Sequence, residues 1–418
     1  MKKKTDIENQ IDEVINEKPE KKKESLFIGS TGCDLLDIMI GGGLHYGIPF
    51  KNIVNVVGDK STGKTFLACE IIAATRHLLG NKLKWVYDDC ESGFTFDTKE
   101  LYGFEIMPID IEDRVRSKTV EDWYCNYRNF AEGLKRTELG IYICDSLDGL
   151  SSKSMKKRGD ERYNAYKKGK EFKKGSFQMD KPKFLSQEFF PPMAEITEKK
   201  NIILIVISQT RDKIDSFFKS QTRSGGKALD FYSHTALWLS VVSKKIINDR
   251  TIGVAIKAHA KKSKTPRPYR SCIFNIIFSY GLDNIGTSID FVFDLLDEKG
   301  KIRNSAANNI IWSGEEITAK KVKEWMEEKK YYEEYRDWRT DKEKSSGLES
   351  MMEYIDFDET KQKEFRTKFG ETLNRDSLID RIEKDSDIKK ELKQRVIDKW
   401  EKIESEVKSN RPKKYLGE

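Results

Sequence analysis

The chain lacks several features that would assign it to well-known classes. No apolar run approaches the roughly 20 residues that cross a bilayer, and the charged N-terminus, MKKKTDIENQ, has no apolar segment typical of a secretory signal. Only four histidines and six scattered cysteines occur in 418 residues, with no CxxC or Cys-His metal spacing. These absences argue against a membrane protein and a zinc protein, and they favour a reducing, cytoplasmic location.

What is abundant is charge. Charged residues make up 35% of the chain and hydrophobic residues 37%, which is typical of a soluble and very polar protein. The 77 basic residues exceed the 70 acidic ones, for a formal net charge of +7. Because so small an excess can be spread evenly, only local clusters of basic residues indicate a polyanionic partner. The length predicts two or three domains, one with a substantial core.

Three regions differ in composition. Residues 1–27 form a charged N-terminal arm whose apolar stripe predicts either a frayed helix or a helix that packs on a neighbouring surface. Residues 28–282 alternate strand-like and helical patterns, which predicts an α/β domain with a mostly parallel sheet. Residues 283–418 predict a mainly helical region of unknown role. The stripe consists of Ile7, Ile11, Val14 and Ile15, and the predicted strands are 53–57, 84–87, 141–144, 202–207, 236–242 and 273–278.

A phosphate-binding loop is the most specific motif. Residues 53–65 read IVNVVGDKSTGKT, and Gly58, Gly63, Lys64 and Thr65 fit GxxxxGK[ST] between a predicted strand and a predicted helix, roughly 64–79. Glycines let the backbone N–H groups face a phosphate, and the helix adds its N-terminal dipole. Lys64 is predicted to neutralise β- and γ-phosphate charge, and Thr65 to hold Mg²⁺. The predicted loop residues are Gly58, Asp59, Lys60, Ser61, Thr62, Gly63, Lys64 and Thr65.

Carboxylates follow two other predicted strands. Asp145 ends the strand in LGIYICDSLDGL, where it is predicted to support Mg²⁺. Asp88, Asp89 and Glu91 lie just beyond the predicted strand in KWVYDDCESGF, and one carboxylate near the γ-phosphate is expected to activate the attacking water. Acids at strand ends are often ordinary loop residues. Because this chain also has a phosphate-binding loop, the functional interpretation is favoured for Asp145 and Glu91.

Two segments are rich in basic and aromatic residues. Residues 153–183 contain twelve Lys or Arg, four acids and interleaved aromatics, and residues 210–227 follow a buried strand. Such a composition is typical of a surface that tracks a nucleic-acid backbone and stacks some bases, without sequence specificity, although a solvated lysine-rich loop has the same composition. Phe217 and Phe218 are expected either to insert between bases or to pack in a subunit interface. The candidate DNA-binding residues are Lys156, Lys157, Arg158, Arg162, Arg211, Lys213, Phe217, Phe218, Lys219, Arg223, Gly225 and Gly226.

Several of these stretches together resemble the RecA family of recombinases, including phage UvsX-type members, over roughly residues 28–282. The stretches are IGSTGCDLLDIMIGGGLHYG, GDKSTGKT, YDDCESGF, ICDSLDGL, GSFQMDKPKFLSQ, VISQTR, SGGKALDFY and KKSKTPRPY. The resemblance implies a RecA-like P-loop ATPase core with a short N-terminal arm and a helical C-terminal region. It also implies two DNA-binding loops, at about 153–183 and 210–227.

The resemblance further implies individual roles. Glu91 is expected to activate water, and Gln209 to couple the nucleotide to the second DNA-binding loop. Lys262 and Lys264 are expected to reach ATP held by a neighbouring subunit, although a solvated basic turn would look the same. Phe231 matches an interface position, and a core role is equally consistent. The family's adenine-stacking tyrosine corresponds to Thr98, and the usual acidic tail is missing.

The function implied is a DNA-dependent ATPase that uses ATP and Mg²⁺. It would form a helical homo-oligomeric filament on single-stranded DNA, pair it with homologous duplex DNA, and work with a single-strand-binding protein or loader in a bacterial or phage-infected cell. One alternative is a hexameric replicative helicase with a RecA-type core. Another is a regulatory ATPase whose basic loops bind an acidic protein.

Overall fold

The computed structural model describes most of the chain. The described residues are 27–42, 45–111, 114–171, 180–212, 221–223, 226–265, 267–297, 299–308, 310–312, 318–370, 372–409 and 411. The predicted N-terminal helix therefore lies outside the described residues. Within these ranges, no helix combines the length and the apolar composition needed to cross a bilayer.

A large mixed sheet forms the centre of the molecule. Its strands run in the order β13-β12-β11-β10-β3-β8-β7-β4, with β9 paired to β8, among the described residues. The five strands from β10 to β4 are mutually parallel, while β11, β12 and β13 continue the sheet antiparallel. The strands of the described chain are β1 Ile28–Gly29, β2 Ile48–Pro49, β3 Ile53–Gly58, β4 Leu83–Asp89, β5 Asp110–Ile111, β6 Arg114–Val115, β7 Leu139–Asp145, β8 Ile202–Asp212, β9 Gln221–Arg223, β10 Thr235–Ile247, β11 Arg250–Ser263, β12 Ser271–Ile277, β13 Gly281–Asp283, β14 Ile310–Ile311 and β15 Thr372–Leu373.

Helices flank this sheet and make up most of the region after it. Those connecting sheet strands are α1 Asp34–Gly41, α2 Lys64–Leu79, α3 Thr98–Tyr102, α4 Val120–Gly133, α5 Lys153–Lys167, α6 Asp180–Phe184, α7 Phe190–Lys199 and α8 Gly226–Tyr232. A π-helical turn, Leu185–Phe189, joins α6 to α7. The later helices are α9 Asn284–Val292, α10 Asn304–Ala307, α11 Ala319–Glu328, α12 Tyr332–Asp341, α13 Leu348–Asp356, α14 Glu359–Phe369, α15 Arg375–Lys384 and α16 Ser386–Glu406.

The alternation of side chains along the buried strands explains the three layers. In β8, Ile203, Ile205 and Ile207 face one apolar cluster, which includes residues of α1 and α2. Ile202 and Leu204 face the other cluster, which includes residues of α4 and α7. Because successive side chains of a strand point to opposite faces, a continuous apolar run requires cover on both faces. The predicted α/β class, a mostly parallel sheet flanked by helices, is therefore confirmed.

The strand ends differ from the predictions in informative ways. We expected the strand that begins at Ile202 to stop at Ser208–Gln209, but β8 continues to Asp212 because Thr210–Asp212 pairs with β9. The strand β11, Arg250–Ser263, was not predicted, since its apolar residues are interrupted by lysines. It extends the parallel part of the sheet through an antiparallel pairing with β10.

The first basic segment is more ordered than expected. Residues 153–183 were predicted as a loop, but Lys153–Lys167 forms the helix α5. Ser152 caps this helix by accepting a hydrogen bond from the Met155 N–H at 3.2 Å. Since no residue of α5 is buried, the helix lacks the apolar stripe that a sequence pattern would reveal.

The end of the C-terminal region packs against the sheet domain. Its last long helix, α16, places Val396 and Trp400 in the same apolar cluster as the sheet residues. The buried carboxylate of Glu404 pairs with Arg270 and Arg267, which lie between β11 and β12. A separate apolar cluster, built around Trp325, is formed by α11 to α14. The predicted boundary between residues 282 and 283 stays a prediction.

A buried carboxylate on α2 makes the stability of the fold depend on pH. Glu70 Oε1 accepts a hydrogen bond from the Leu282 N–H at 2.8 Å, and burial raises the pKa of Glu70 from 4.5 to about 7. The folded state then keeps its proton up to about pH 7, while the unfolded chain loses it near 4.5. This stabilisation is complete below pH 4.5 and is lost as the pH rises through 7.

We predict that Glu70→Gln removes this pH dependence. One pKa unit corresponds to about 1.4 kcal/mol, so between pH 4.5 and 8 the wild-type free energy of unfolding should fall by about 3 kcal/mol more than that of E70Q. Urea unfolding at several pH values measures the difference. The exposed Glu100→Gln serves as the control and should follow the wild-type profile. Parallel profiles for wild type and E70Q would contradict the prediction.

Candidate functional site

The site begins in the loop between the end of β3 and the start of α2, at the carboxyl edge of the parallel strands. Glycine is required at two places in this loop. A Cβ on Gly58 would lie 2.4 Å from Thr62 Oγ1, and Gly63 has φ of 75°, a left-handed conformation that favours glycine. Ser61 also has a positive φ, 58°. The loop is thus curled tightly immediately before the N-terminus of a 16-residue helix, the arrangement that binds phosphate.

The side chain of Lys64 points back into this loop. Its Nζ donates a hydrogen bond to the Asp59 carbonyl oxygen at 2.6 Å, and the same oxygen accepts one from Thr62 Oγ1 at 2.8 Å. Burial lowers the pKa of Lys64, while the nearby carboxylates of Asp145 and Glu91 act in the opposite direction. An ammonium group is therefore available at the mouth of the loop, beside two carboxylates.

Two oxygen ligands suited to Mg²⁺ lie together beside the loop. Thr65 Oγ1 donates to Asp145 Oδ2 at 2.6 Å, and Tyr87 Oη donates to the same carboxylate oxygen at 2.5 Å. Burial raises the pKa of Asp145, although these two hydrogen bonds oppose the rise. In the described part of the chain, no group of three or more His, Cys, Asp or Glu could hold a metal. Mg²⁺ is usually held by one or two protein oxygens together with waters and phosphate oxygens, and Thr65 Oγ1 and Asp145 Oδ2 are two such oxygens.

A hydrogen-bonded group of polar residues lies just after β4, just after β7 and within β8. Glu91 Oε1 accepts hydrogen bonds from Ser146 Oγ and from Gln209 Nε2, the latter at 3.0 Å. The backbone N–H of Gln209 donates to Asp148 Oδ2 at 2.8 Å. The sheet register makes this possible, because Gly58 lies opposite Gln209 in the β3–β8 pairing. The structure therefore brings the predicted residues Glu91, Gln209 and Gly58 to one edge.

A cavity of about 780 Å³ opens over the loop and supplies a surface that sequence reasoning missed. Polar residues of the loop, with Glu91 and Asp145, line one part, and the other part is apolar. Four phenylalanines line the cavity and contribute to its apolar part: Phe66, Phe94, Phe96 and Phe278. Phe94 and Phe96 follow Glu91 in ESGFTF, so their position was a signal. Phe278 reaches the cavity only through the pairing of β11 with β12.

Thr98, the position expected to face the base, is used differently. It is buried at the start of α3, and its Oγ1 accepts a hydrogen bond from the Ile106 N–H at 2.8 Å. Within the described residues, Thr98 does not line the cavity. The apolar surface suited to a base is therefore provided by the phenylalanines rather than by Thr98.

Four of the candidate DNA-binding residues lie on α5. Lys156, Lys157 and Arg162 are exposed, and Arg158 is half-buried because it forms an ion pair with Asp180. Tyr166 is 80% exposed on the same helix. Basic and aromatic side chains thus share a solvent-facing helix, as a surface for single-stranded nucleic acid requires.

The structure describes only part of the second basic segment, 210–227. Lys213, Phe217, Phe218, Lys219 and Gly225 lie outside the described residues, as does the side chain of Arg211. Gly226 begins α8 with a φ of 64°. Arg223, predicted to contact DNA, is instead buried, where it forms hydrogen bonds or ion pairs with Asn55 and Asp230.

The burial of Arg223 has a clear physical reason. Asn55 is fully buried in β3, and its Nδ2 donates to the Val206 carbonyl at 2.7 Å and to Ser208 Oγ at 2.9 Å. Its remaining amide oxygen needs a donor, which Arg223 provides. A contact between Arg223 and DNA would require this arrangement to open.

Lys262 and Lys264 lie at the end of β11, outside the cavity of their own chain as far as the described residues show. Lys262 Nζ donates to the carbonyl oxygens of Asp230 and Phe231, at 2.9 Å for Phe231. Burial lowers the pKa of Lys262, and the charge of Lys264 lowers it further. Phe231 itself is 74% exposed, which does not fit a core role within one chain.

Comparison with known proteins is consistent with this geometry. Residues 176–283 match the model of the RecA N-terminal domain family. "Protein RecA" of Wolinella succinogenes is 27% identical over 293 residues, which covers 68% of this chain and 75% of that protein. "Protein RecA" of Chlamydia trachomatis is 28% identical over 275 residues, covering 65% and 70%. "Protein RecA" of Chloroherpeton thalassium is 27% identical over 268 residues, covering 64% and 68%. These relatives are bacterial, so the narrower resemblance to phage members stays a prediction.

Proposed function

We propose that this chain is a recombinase of the RecA family, a DNA-dependent, Mg²⁺-dependent ATPase that forms a filament on single-stranded DNA. The filament would pair that strand with homologous duplex DNA for recombination and repair, in the cytoplasm. The observation that supports this most directly is the hydrogen bond from Gln209 to Glu91. It joins the ATP site to the strand that leads into the second basic segment, 210–227.

For ATP hydrolysis, each polar group of the site has a chemical task. Lys64 and the loop N–H groups would bind the phosphates, and Thr65 and Asp145 would hold Mg²⁺, which neutralises phosphate charge when bound. Glu91 would accept the proton of the attacking water. Gln209 and Ser146 both donate to Glu91, so they orient its carboxylate. Phe94, Phe96 and Phe278 would cover the base.

Coupling to DNA would use the continuity of β8. This strand carries Gln209 at the ATP site and pairs with β9 beyond it, so both ends of the segment between them are tied to the sheet. DNA bound to that segment would shift Gln209, and with it Glu91. Lys262 and Lys264 are proposed to add positive charge to the ATP of a neighbouring subunit, so that hydrolysis requires assembly.

The exposed face of α5 provides a testable part of this proposal. We predict that replacing both Lys157 and Arg162 by alanine weakens binding of single-stranded DNA roughly tenfold at low salt. The slope of log affinity against log salt should decrease by about 1.4, since each phosphate contact contributes about 0.7. Fluorescence anisotropy with a labelled oligonucleotide measures both. The control is Lys342→Ala/Lys389→Ala, two exposed lysines of the C-terminal region. Equal affinity and slope for both double variants would rule out α5 as a DNA-contacting surface.

The assembly itself is best tested by electron microscopy of the protein with single-stranded DNA and a slowly hydrolysed ATP analogue. Open, continuous helical filaments are the expected result, and a strand-exchange assay with homologous duplex would follow. Closed rings would overturn the proposal in favour of a hexameric helicase. No assembly on DNA would leave an ATPase whose basic segments bind another partner. Adding a single-strand-binding protein would then test whether assembly needs assistance.

A further inference from the structure

A short turn lies between the ATP site and the first basic segment. This turn, the 3₁₀ helix Leu147–Gly149, follows directly after β7 and Ser146. Lys181, near the end of the basic segment, donates hydrogen bonds from Nζ to the carbonyl oxygens of Leu147 at 2.5 Å and Leu150 at 2.7 Å. One ammonium group therefore binds the first residue of the turn and the residue just after it.

The same turn also contacts the ATP site. Asp148, in the middle of the turn, accepts a hydrogen bond from the backbone N–H of Gln209 at 2.8 Å. Ser146 Oγ accepts from the Asp148 N–H at 3.2 Å and also donates to Glu91. The turn thus positions two of the groups that contact Glu91, namely Ser146 and Gln209.

The residue before Lys181 binds the start of the basic segment. Asp180 accepts a hydrogen bond from Ser154 Oγ at 2.8 Å and forms an ion pair with Arg158, both on α5. Neighbouring residues of opposite charge therefore connect α5 to the turn. A phosphate bound at Arg158 would compete directly with Asp180.

We propose that Lys181 is a positioning residue for ATP hydrolysis, which holds the turn Leu147–Gly149 and transmits the state of the first basic segment to Glu91 and Gln209. The physical basis is that Lys181 forms charge-assisted hydrogen bonds, which are stronger and more geometrically constraining than neutral ones. Without them, Asp148 and Ser146 lose the support that fixes their direction. This inference rests on the proposed function, because it assigns a regulatory link to the same ATP site.

The test compares Lys181→Met with Lys183→Met. Both remove one positive charge from α6, but only Lys181 has a described contact with the turn. We expect the kcat for ATP at saturating single-stranded DNA to be at least tenfold lower in K181M than in K183M, while the KM for ATP and the affinity for DNA stay within threefold of each other. Lys181→Arg, which keeps the charge and the donors, should recover at least a third of the wild-type kcat.

A second variant keeps the test decisive if K181M is poorly folded. Asp148→Ala removes the acceptor for the Gln209 N–H and should lower kcat by a similar factor. If both residues act through the same turn, the kcat of the double variant should be no more than twofold below that of the single variant with the lower kcat. Additive losses, or equal kcat values for K181M and K183M, would overturn the inference.

The outcome separates this inference from the proposed function. If the wild type hydrolyses ATP without stimulation by DNA, the DNA-dependent function fails, and a tenfold deficit of K181M in that hydrolysis still supports the positioning role. If DNA stimulates the wild type and K181M responds like K183M, the proposed function stands and the role of Lys181 is wrong. A wild type that hydrolyses no ATP under either condition overturns both.

Discussion

Replacing Lys64 by alanine is expected to lower the kcat for ATP hydrolysis by at least about 10²–10³-fold, the range seen when one preorganised donor to a developing charge is removed. Lys64 Nζ lies 2.6 Å from the Asp59 carbonyl oxygen, inside the curled loop, so the ammonium group is already held where phosphates would bind. In the variant, the charge that builds up on the phosphate oxygens would no longer be offset by this ammonium group. A phosphate-release assay with and without single-stranded DNA measures the effect.

The control for Lys64→Ala must remove the same charge elsewhere. Lys82, an exposed residue of the short 3₁₀ helix Gly80–Lys82 after α2, is suitable. K82A should keep kcat within about twofold of wild type, because surface substitutions rarely perturb a distant site. Circular dichroism should show the same helix content for all three proteins. Normal hydrolysis by K64A would mean that the loop is not the ATP site.

Replacing Arg375 by alanine is expected to destabilise the protein by about 3–5 kcal/mol, the typical penalty when one partner of a buried ion pair is removed. Arg375 begins α15, and its Nε donates to Asp290 Oδ1 at 2.6 Å. Its guanidinium also lies 3.7 Å from Asp283 Oδ2. Both carboxylates are buried, at 3% and 6% exposure, so neither can be solvated by water when the arginine is lost.

The remaining partners cannot replace Arg375. Asp290 still accepts a hydrogen bond from Asn275 Nδ2 at 2.8 Å, but an amide does not neutralise its charge. Lys245 Nζ is 4.0 Å from Asp283, at the limit of an ion pair. Adding Asp290→Asn to R375A should therefore restore at least about 1 kcal/mol, since it removes one uncompensated charge.

Urea unfolding followed by tryptophan fluorescence measures these changes, because Trp312 lies in the apolar cluster that includes residues of α9 and α15. The matched control is Lys384→Ala, an exposed cation at the end of the same helix, which should change stability by less than about 0.5 kcal/mol. If R375A unfolds like K384A, the buried ion pair does not hold the C-terminal helices on the sheet domain.

The roles of Lys64 and Arg375 differ in how far they can be predicted from the sequence. The role of Lys64 follows from GDKSTGKT, because a glycine-rich loop between an apolar strand and a helix has few other uses. The role of Arg375 does not follow from any local pattern. Its partners Asp283 and Asp290 are more than eighty residues away along the chain, and all three look like ordinary surface charges in a region where Asp, Glu, Lys and Arg are frequent.

The same contrast holds within the site. The sequence predicted Glu91, Asp145 and Gln209 separately, each at the end of an apolar run. It could not show that Asp148 and Lys181 connect them, since those contacts depend on how a 3₁₀ turn packs against a segment more than thirty residues later. Arg223 was assigned to DNA because of its basic neighbours, but the buried amide of Asn55 determines where it lies.

Adjacent residues were therefore enough to predict the class of the fold, the curled glycine-rich loop and the edge of the sheet at which the candidate site lies. Those features depend on local periodicity and on the backbone conformations that glycine permits, and both can be read from adjacent residues. Three features follow only from the folded chain: the basic segment contains the helix α5, four phenylalanines contribute to the apolar part of the cavity, and α16 packs against the sheet domain. Each of these depends on burial and charge pairing between residues far apart in the chain, and a linear pattern does not contain that information.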